Sequence, residues 1–497
     1  MDKIKIGWSE VSIVPEGKKV KLAGQFYERI SDVVESPITV TAFAIECGQE
    51  QAIFCSCDLC GTSYMLLEAV RERLAVNSGF PVDKVIINAI HTHTSITYTG
   101  GSDTASIAGS SLEVLSRFVP ENMKYQELVK LDDENVLQPK DAFGFLADRI
   151  AKAVYEAWNN RTEGLYATGF GRAAVGMCRR VCYDDGSAKM WGDTNMANFT
   201  ELEGGNDSGI EMIFTYDTNK NITGVIANVA CPSQVLEHRS FISSDYWGKV
   251  KEMLRAMLGK DIFVLGLCSA AGDQCPRDMI RWVEPETPIN DPNIVRDTYI
   301  ERNADPSMFD IKGCKLVGRR IADEIMYAYE DVTEYIGETE LVHKVIKIDM
   351  PVRRVTIEET EKAKRAIKEF VNESDGTFTF KENAAMHVYA GTIARYEVQQ
   401  KLNTNEIEVH VLKLGDIAFA TNPYELFLDY GNKIRARSKA KQTFLIQLCC
   451  GGFGYLPTEK AEKGSHYSAY VSSGINGHEG GDLLVRRTLT EINNMWE

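Results

Sequence analysis

The 497-residue sequence contains no apolar run of about eighteen residues, the minimum for a helix that crosses a bilayer. Its opening, MDKIKIGWSEVSI, lacks the charged start and uninterrupted apolar core of an export signal. A cytoplasmic location without integral membrane association is therefore expected. Positive charge is also scarce. The formal net charge is −16 and no acidic or basic block is long enough to read as a tail, which argues against nucleic acid or an anionic membrane as a partner, because phosphate binding needs a basic face. There is no internal repeat, low-complexity tract or Pro/Gly/Ser linker, so one large unit is expected and not a string of domains. In a reducing compartment the twelve cysteines serve as small core residues or as ligands, not as a disulfide framework.

What is present is ordinary globular material, 44% hydrophobic and 25% charged, enough for a large core. Residues 38–47 and 51–58 read as strands joined at Gly48, and the helical spacing of residues 61–74 leads through Pro81 to a further strand. Strand, helix, strand favours parallel pairing. Residues 210–216 and 222–230 flank DTNKN, a hairpin signal, and Ser244 or Asp245 can cap a helix over 246–258. The pattern predicts an α/β fold, with mixed β-sheets flanked by helices in a single large catalytic domain spanning 1–497. Residues 102–140 lack periodicity and read as a lid or loop insertion.

Residues 85–100 read VIINAIHTHTSITYTG, a buried strand emptying into a polar loop. Side chains two apart on extended backbone share a face, so His91 and His93 can enter one pocket. Such a pair serves backbone hydrogen bonds, a metal, or proton transfer near neutral pH. Other strands end in polar clusters too: Cys231, Gly272–Asp273–Cys275–Pro276, Glu425, and Tyr455 after a Gly-rich turn. Glu425 at the entry to a helix reads as a ligand or as an N-terminal acid favoured by the helix dipole. Cys178, Arg179 and Arg180 follow another strand, where arginine suits carboxylate or polar-substrate clamping. The triplet Cys55, Cys57 and Cys60 lacks a partner at metal-site spacing and reads as core.

The order and wording of these clusters resemble the neutral/alkaline, non-lysosomal ceramidase family, zinc amidases that cleave the N-acyl bond of ceramide. The likeness covers the family's N-terminal catalytic domain over nearly the whole chain. Its His-Thr-His-Ser-Gly-Pro signature appears as residues 91–96 (HTHTSI), its Gly-Asp-x-Ser-Pro as 272–276 (GDQCP), its Pro-x-Glu as Pro423, Tyr424 and Glu425, and its Tyr-x-Thr-Thr as 455–458 (YLPT), with the second family tyrosine matched by Tyr467.

The resemblance implies Zn2+ held by His91, Glu425 and Tyr455, with Cys231 standing where the family has its remaining histidine and His238 as the fallback. A thiolate is a competent zinc ligand. It implies catalytic roles for His93, Asp273 and Cys275, the last in place of the family's serine, and substrate contacts by Arg179 and Tyr467. Ser468 replaces a family glutamate, and neither the family's export signal nor its C-terminal immunoglobulin-like domain is expected. The function implied is zinc-dependent hydrolysis of a small-molecule N-acyl compound other than long-chain ceramide. A hydrolase using Cys275 as nucleophile with His93 as base, and a non-catalytic ligand-binding descendant, are the alternatives.

Overall fold

In the computed structural model, which describes residues 1–25, 28–77, 79–125, 135–281 and 310–497, the long apolar runs pair into two main sheets. The larger runs, edge to edge, Phe263–Cys268, Ile222–Val229, Gly209–Asp217, Thr162–Arg172, Asp2–Ser12, Thr39–Cys47, Glu50–Cys57 and Val85–Ala89, with Glu338–Thr339 also pairing on Asp2–Ser12. Thr39–Cys47 and Glu50–Cys57 form the expected antiparallel hairpin, as do Gly209–Asp217 and Ile222–Val229. The helix Tyr64–Ala75 returns the chain so that Val85–Ala89 lies parallel to Glu50–Cys57. All five residues of that last strand are buried, which is why it reads as a continuous apolar run and not as an alternation.

The second sheet runs Leu341–Pro351, Thr404–Leu414, Ile417–Thr421 and Gln442–Ile446, the last pair parallel. The two sheets meet face to face. Phe419 bridges them, its ring centroid 5.1 Å from Phe54 and 4.8 Å from Phe444. Buried Asn228 donates to the Leu445 carbonyl at 2.8 Å and accepts from the Leu445 amide at 3.2 Å, a polar stitch that fixes how the sheets align. Helices Pro139–Asn159, Tyr246–Leu258, Asp310–Glu330 and His478–Asn494 each bury an apolar stripe. The result is a single α/β domain of mixed sheets flanked by helices, as the patterning predicts. Among the described residues no helix is long and apolar enough to cross a membrane. All twelve cysteines are free thiols.

Two boundaries differ from the sequence reading. Residues 145–158, which carry a helical stripe in the sequence, are only part of the helix Pro139–Asn159, which begins six residues earlier because Pro139, at its first turn, needs no amide partner there. Within 102–140 the chain forms a short helix, Ser111–Leu115, whose Val114 and Leu115 pack with Ile367, Met386 and Ile393. Residues 126–134 of this expected lid lie outside the described residues.

Candidate active site

The ends of both sheets converge on one buried cluster. His91 leaves the strand Val85–Ala89 with φ at +70°, a conformation rare for a non-glycine residue and common where a side chain is aimed for function. Its Nδ1 meets the Cys60 carbonyl, which can only accept, so that nitrogen carries a proton, and Nε2 is the atom aimed at Glu425; against burial, that carboxylate raises the imidazole pKa well above its ordinary value. Nε2 faces Glu425 Oε2 at 3.3 Å. Two donors each about 2.0–2.1 Å from one tetrahedral ion lie about 3.3 Å apart, so this separation suits shared coordination.

Glu425 and Tyr455 are direct partners in a two-residue parallel bridge, Glu425–Leu426 against Tyr455–Leu456, and their side chains hydrogen-bond. Burial drives the Glu425 carboxyl up, but His91 and Arg179 outweigh it and hold the group below the usual carboxylate range. The Tyr455 hydroxyl accepts from Arg179 Nη2 at 3.2 Å. Arg179 also reaches the Gly272 carbonyl at 3.0 Å and Gln234 Oε1 at 3.2 Å. Tyr467 packs edge-on against Tyr455, centroids 5.5 Å apart. The donor set of imidazole, carboxylate and phenol oxygen is one that zinc accepts.

His93 stands beside His91, ring centroids 4.9 Å apart. Its Nε2 receives the Gln234 amide at 2.9 Å, and its Nδ1 lies 3.5 Å from Glu237 Oε2, an ion-pair distance. Burial, then His91, Arg29 and Arg179, keep this imidazole neutral by lowering its pKa well below the ordinary value. Gly24, at φ +91°, crosses the ring so closely that a Cβ there would lie 2.2 Å from it. The ring is therefore fixed from all sides.

Asp273 touches this site through the backbone. Its Oδ1 accepts the Leu428 amide at 2.9 Å, its carbonyl accepts the Arg179 amide at 2.9 Å, and neighbouring Gly272 donates to the Leu426 carbonyl at 2.8 Å. A Cβ on Gly272 would lie 2.3 Å from the Glu425 carbonyl, so only glycine lets the two turns meet. Asp273 thus braces both Glu425 and Arg179. Burial pushes its carboxyl up to about 6 from 3.8. The folded state therefore favours the protonated form, and that contribution is complete below pH 3.8 and lost as pH rises through about 6. Asp273→Asn keeps the acceptor for Leu428 without the charge. It is expected to match the parent near pH 4 in urea unfolding and to exceed it by about 2–3 kcal/mol near pH 8. An equal difference at both pH values would contradict this.

Cys275 is wholly buried, donates to the Arg277 carbonyl at 3.4 Å, and has its thiol pushed up to about 12 by burial despite nearby Arg179. Cys231 is also wholly buried, its thiol directed to the Val175 and Pro232 carbonyls at 3.4 and 3.6 Å. His238 lies 3.8 Å from Asp310, with burial lowering its pKa to about 4. The sulfur that comes to the histidines is that of Cys60, whose Sγ lies within 4.8 Å of ring nitrogens of both His91 and His93. Sequence reasoning left Cys60 in the core and did not single out Gln234 or Glu237, because their roles depend on partners far along the chain.

No protein-family model and no curated protein matches the sequence. Solved structures do. The chain superposes on the neutral ceramidase of Pseudomonas aeruginosa with a TM-score of 0.67 at 15% identity, over 100% of this chain and 75% of that one. The fold is that of a neutral ceramidase. A ceramidase complexed with C2 gives a TM-score of 0.66 at 13% identity, over 100% of this chain and 76% of the other. At such identity the ceramidase fold is retained by the pattern of buried strands and not by sequence, and the side chains at its convergent strand ends must be read on their own chemistry.

Proposed function

We propose that the chain is a metal-dependent hydrolase of an amide bond in an N-acyl compound smaller or more polar than long-chain ceramide. The observation that carries this reading is His91 Nε2 facing Glu425 Oε2 at 3.3 Å beside Tyr455, within the ceramidase fold. His91, Glu425 and Tyr455 are the proposed ligands. A thiolate completes the set, Cys231 by the family resemblance or Cys60 by its place next to the histidines. Zinc, when bound, supplies carbonyl polarisation and a water acidic enough to attack near neutral pH.

The chain's own groups do the rest. His93 would take a proton from the attacking water at Nε2 in exchange for the Gln234 amide and return it to the leaving amine, with Glu237 beside Nδ1 holding the ring. Arg179, fixed to Gly272 and Gln234, and the Tyr455 hydroxyl stabilise the oxyanion. Cys275 stays protonated and buried, which favours water over the thiol as nucleophile. Beyond Arg179 stands Arg277, and the guanidinium groups lie 5.8 and 4.4 Å from the Trp191 ring. Two arginines beside an indole would favour a polar acyl-amine over two long hydrocarbon tails, and Tyr467 would contact the substrate from the other side.

The test joins metal content to turnover. Chain purified without chelator is expected to carry zinc, to hydrolyse small N-acyl amines or amino sugars with higher kcat/KM than long-chain ceramide, and to keep its activity in Cys275→Ser. Zinc-free active protein, or activity lost in Cys275→Ser in step with iodoacetamide labelling of Cys275 in the parent, would replace this reading with the covalent one. Metal loss in Cys60→Ser but not in Cys231→Ser, or the reverse, identifies the sulfur.

A further inference from the structure

A second group of ligating side chains lies apart from this site, below the turn that carries the chain from the strand Gln442–Ile446 towards Tyr455. Donor atoms of Glu408, His410 and Cys450 lie within 4.8 Å of one another, and the sulfurs of Cys449 and Cys450 are 3.8 Å apart. His410 and both cysteines are buried.

Hydrogen bonding fixes where the imidazole protons sit. The Gln51 carbonyl can only accept, so His343 Nδ1 donates to it at 2.9 Å. Neutral His343 then offers a bare Nε2 to His410 Nδ1 at 2.9 Å, and His410 Nδ1 is the donor. His410 Nε2 is left facing Glu408 Oε1 at 2.9 Å and Cys450 Sγ at 3.7 Å. Electron pairs of nitrogen, oxygen and sulfur thus point at one another, and only a cation, a proton or a metal, reconciles them.

The geometry and surroundings favour the metal. Nitrogen and sulfur donors about 2.0–2.3 Å from one tetrahedral ion lie about 3.3–3.8 Å apart, the range of the nitrogen–sulfur and sulfur–sulfur distances here. The 2.9 Å nitrogen–oxygen contact is that of a proton bridge, which an ion would displace and widen. Outer partners are in place: Arg71 grips both Glu408 oxygens at 2.7 and 3.0 Å, and His343 holds the far nitrogen of His410. Leu448 and Cys450, either side of Cys449, have φ of +52° and +55°, a left-handed backbone held although neither is glycine.

We propose that Glu408, His410 and Cys450 form a second metal site for a thiophilic divalent cation such as zinc. One sulfur, one imidazole and one carboxylate are the donors, and Cys449 Sγ stands 3.8 Å from that of Cys450. Loading expels the proton on His410 Nε2 and that of the Cys450 thiol. The ion clamps the Cys449–Cys450 turn, whose Cys450 amide bonds to the Ile87 carbonyl at 2.9 Å, onto the strand that delivers His91.

This inference does not depend on the proposed amidase centre, and its test keeps the two apart. Metal-free chain carrying His91→Ala, which disables the first centre only, is titrated with cobalt(II). About one cobalt per chain with thiolate-to-cobalt charge-transfer absorption is expected, both lost when Cys450→Ala is added. In the unmodified full-length chain, zinc is expected to protect Cys449 and Cys450 from iodoacetamide by at least tenfold, a readout needing no substitution. Cobalt bound without thiolate absorption, absorption indifferent to Cys450→Ala, or alkylation of the pair indifferent to zinc would each overturn the proposal.

Discussion

Replacing His93 by glutamine is expected to lower kcat for amide hydrolysis by about 10²–10⁴-fold, the usual contribution of a positioned general base, while leaving bound metal in place. The glutamine side chain retains a polar head but cannot carry a proton between water and leaving amine. His91→Ala should behave differently, losing the metal of this centre, though not that of the Glu408–His410–Cys450 site, together with activity, because His91 Nε2 faces Glu425 whereas His93 Nε2 is turned to Gln234. KM should move little in His93→Gln, since the contacts assigned to substrate belong to Arg179 and Tyr467. Metal analysis and steady-state kinetics on the two variants check this. A His93→Gln chain that keeps metal and retains activity within tenfold of the parent would remove His93 from the proton path.

The largest expected effect on stability is at Glu203. Arg180 is completely buried and donates to both Glu203 oxygens at 2.6 and 3.0 Å. Its remaining bonds go to the Ser465 carbonyl at 2.8 Å, the Tyr467 carbonyl at 3.0 Å and the Ala461 carbonyl at 3.3 Å, with Ser468 Oγ also at 3.3 Å. Residues 465, 466 and 468 all have positive φ, so the loop presenting Tyr467 is held in a strained path by one guanidinium. Glu203→Leu strands that charge in the core and is expected to cost about 3–5 kcal/mol in denaturant unfolding. Adding Arg180→Met should restore much of the stability, because an apolar pair of similar bulk fits a dry interior. It should not restore turnover, since methionine cannot hold the loop carbonyls. Recovery of both would mean that Arg180 serves stability alone.

Much of the fold is legible in the sequence because burial leaves periodic marks. Val85–Ala89 and Ile417–Thr421 are buried at every position, and the stripe of Pro139–Asn159 repeats at helical spacing. Polar clusters at strand ends mark His91, Glu425, Tyr455 and the Gly272–Asp273 turn, and the structure sets these side by side with Arg179. What escapes is anything that depends on register between distant segments. Gln234 and Glu237 look like ordinary loop residues until the chain brings them to His93, and Cys60 looks like core until the parallel pairing of Glu50–Cys57 with Val85–Ala89 sets it beside the histidines. The Glu408–His410–Cys450 group is hidden for the same reason. Its members lie on a strand of the second sheet and on a turn some forty residues later.

The bridge between Glu425 and Tyr455 joins polypeptide made more than three hundred residues after His91. During synthesis, therefore, the histidine loop waits with its polar groups unsatisfied while nearly all of the second sheet is still inside or ahead of the ribosome. Contacts of such sequence separation form late and slowly, because the entropy of closing the intervening loop is lost before any contact compensates it. Recovery of the site after dilution from denaturant should consequently lag behind recovery of secondary structure, and the half-built chain, with apolar strands Val85–Ala89 and Glu50–Cys57 awaiting their cover, is the species that depends on chaperones.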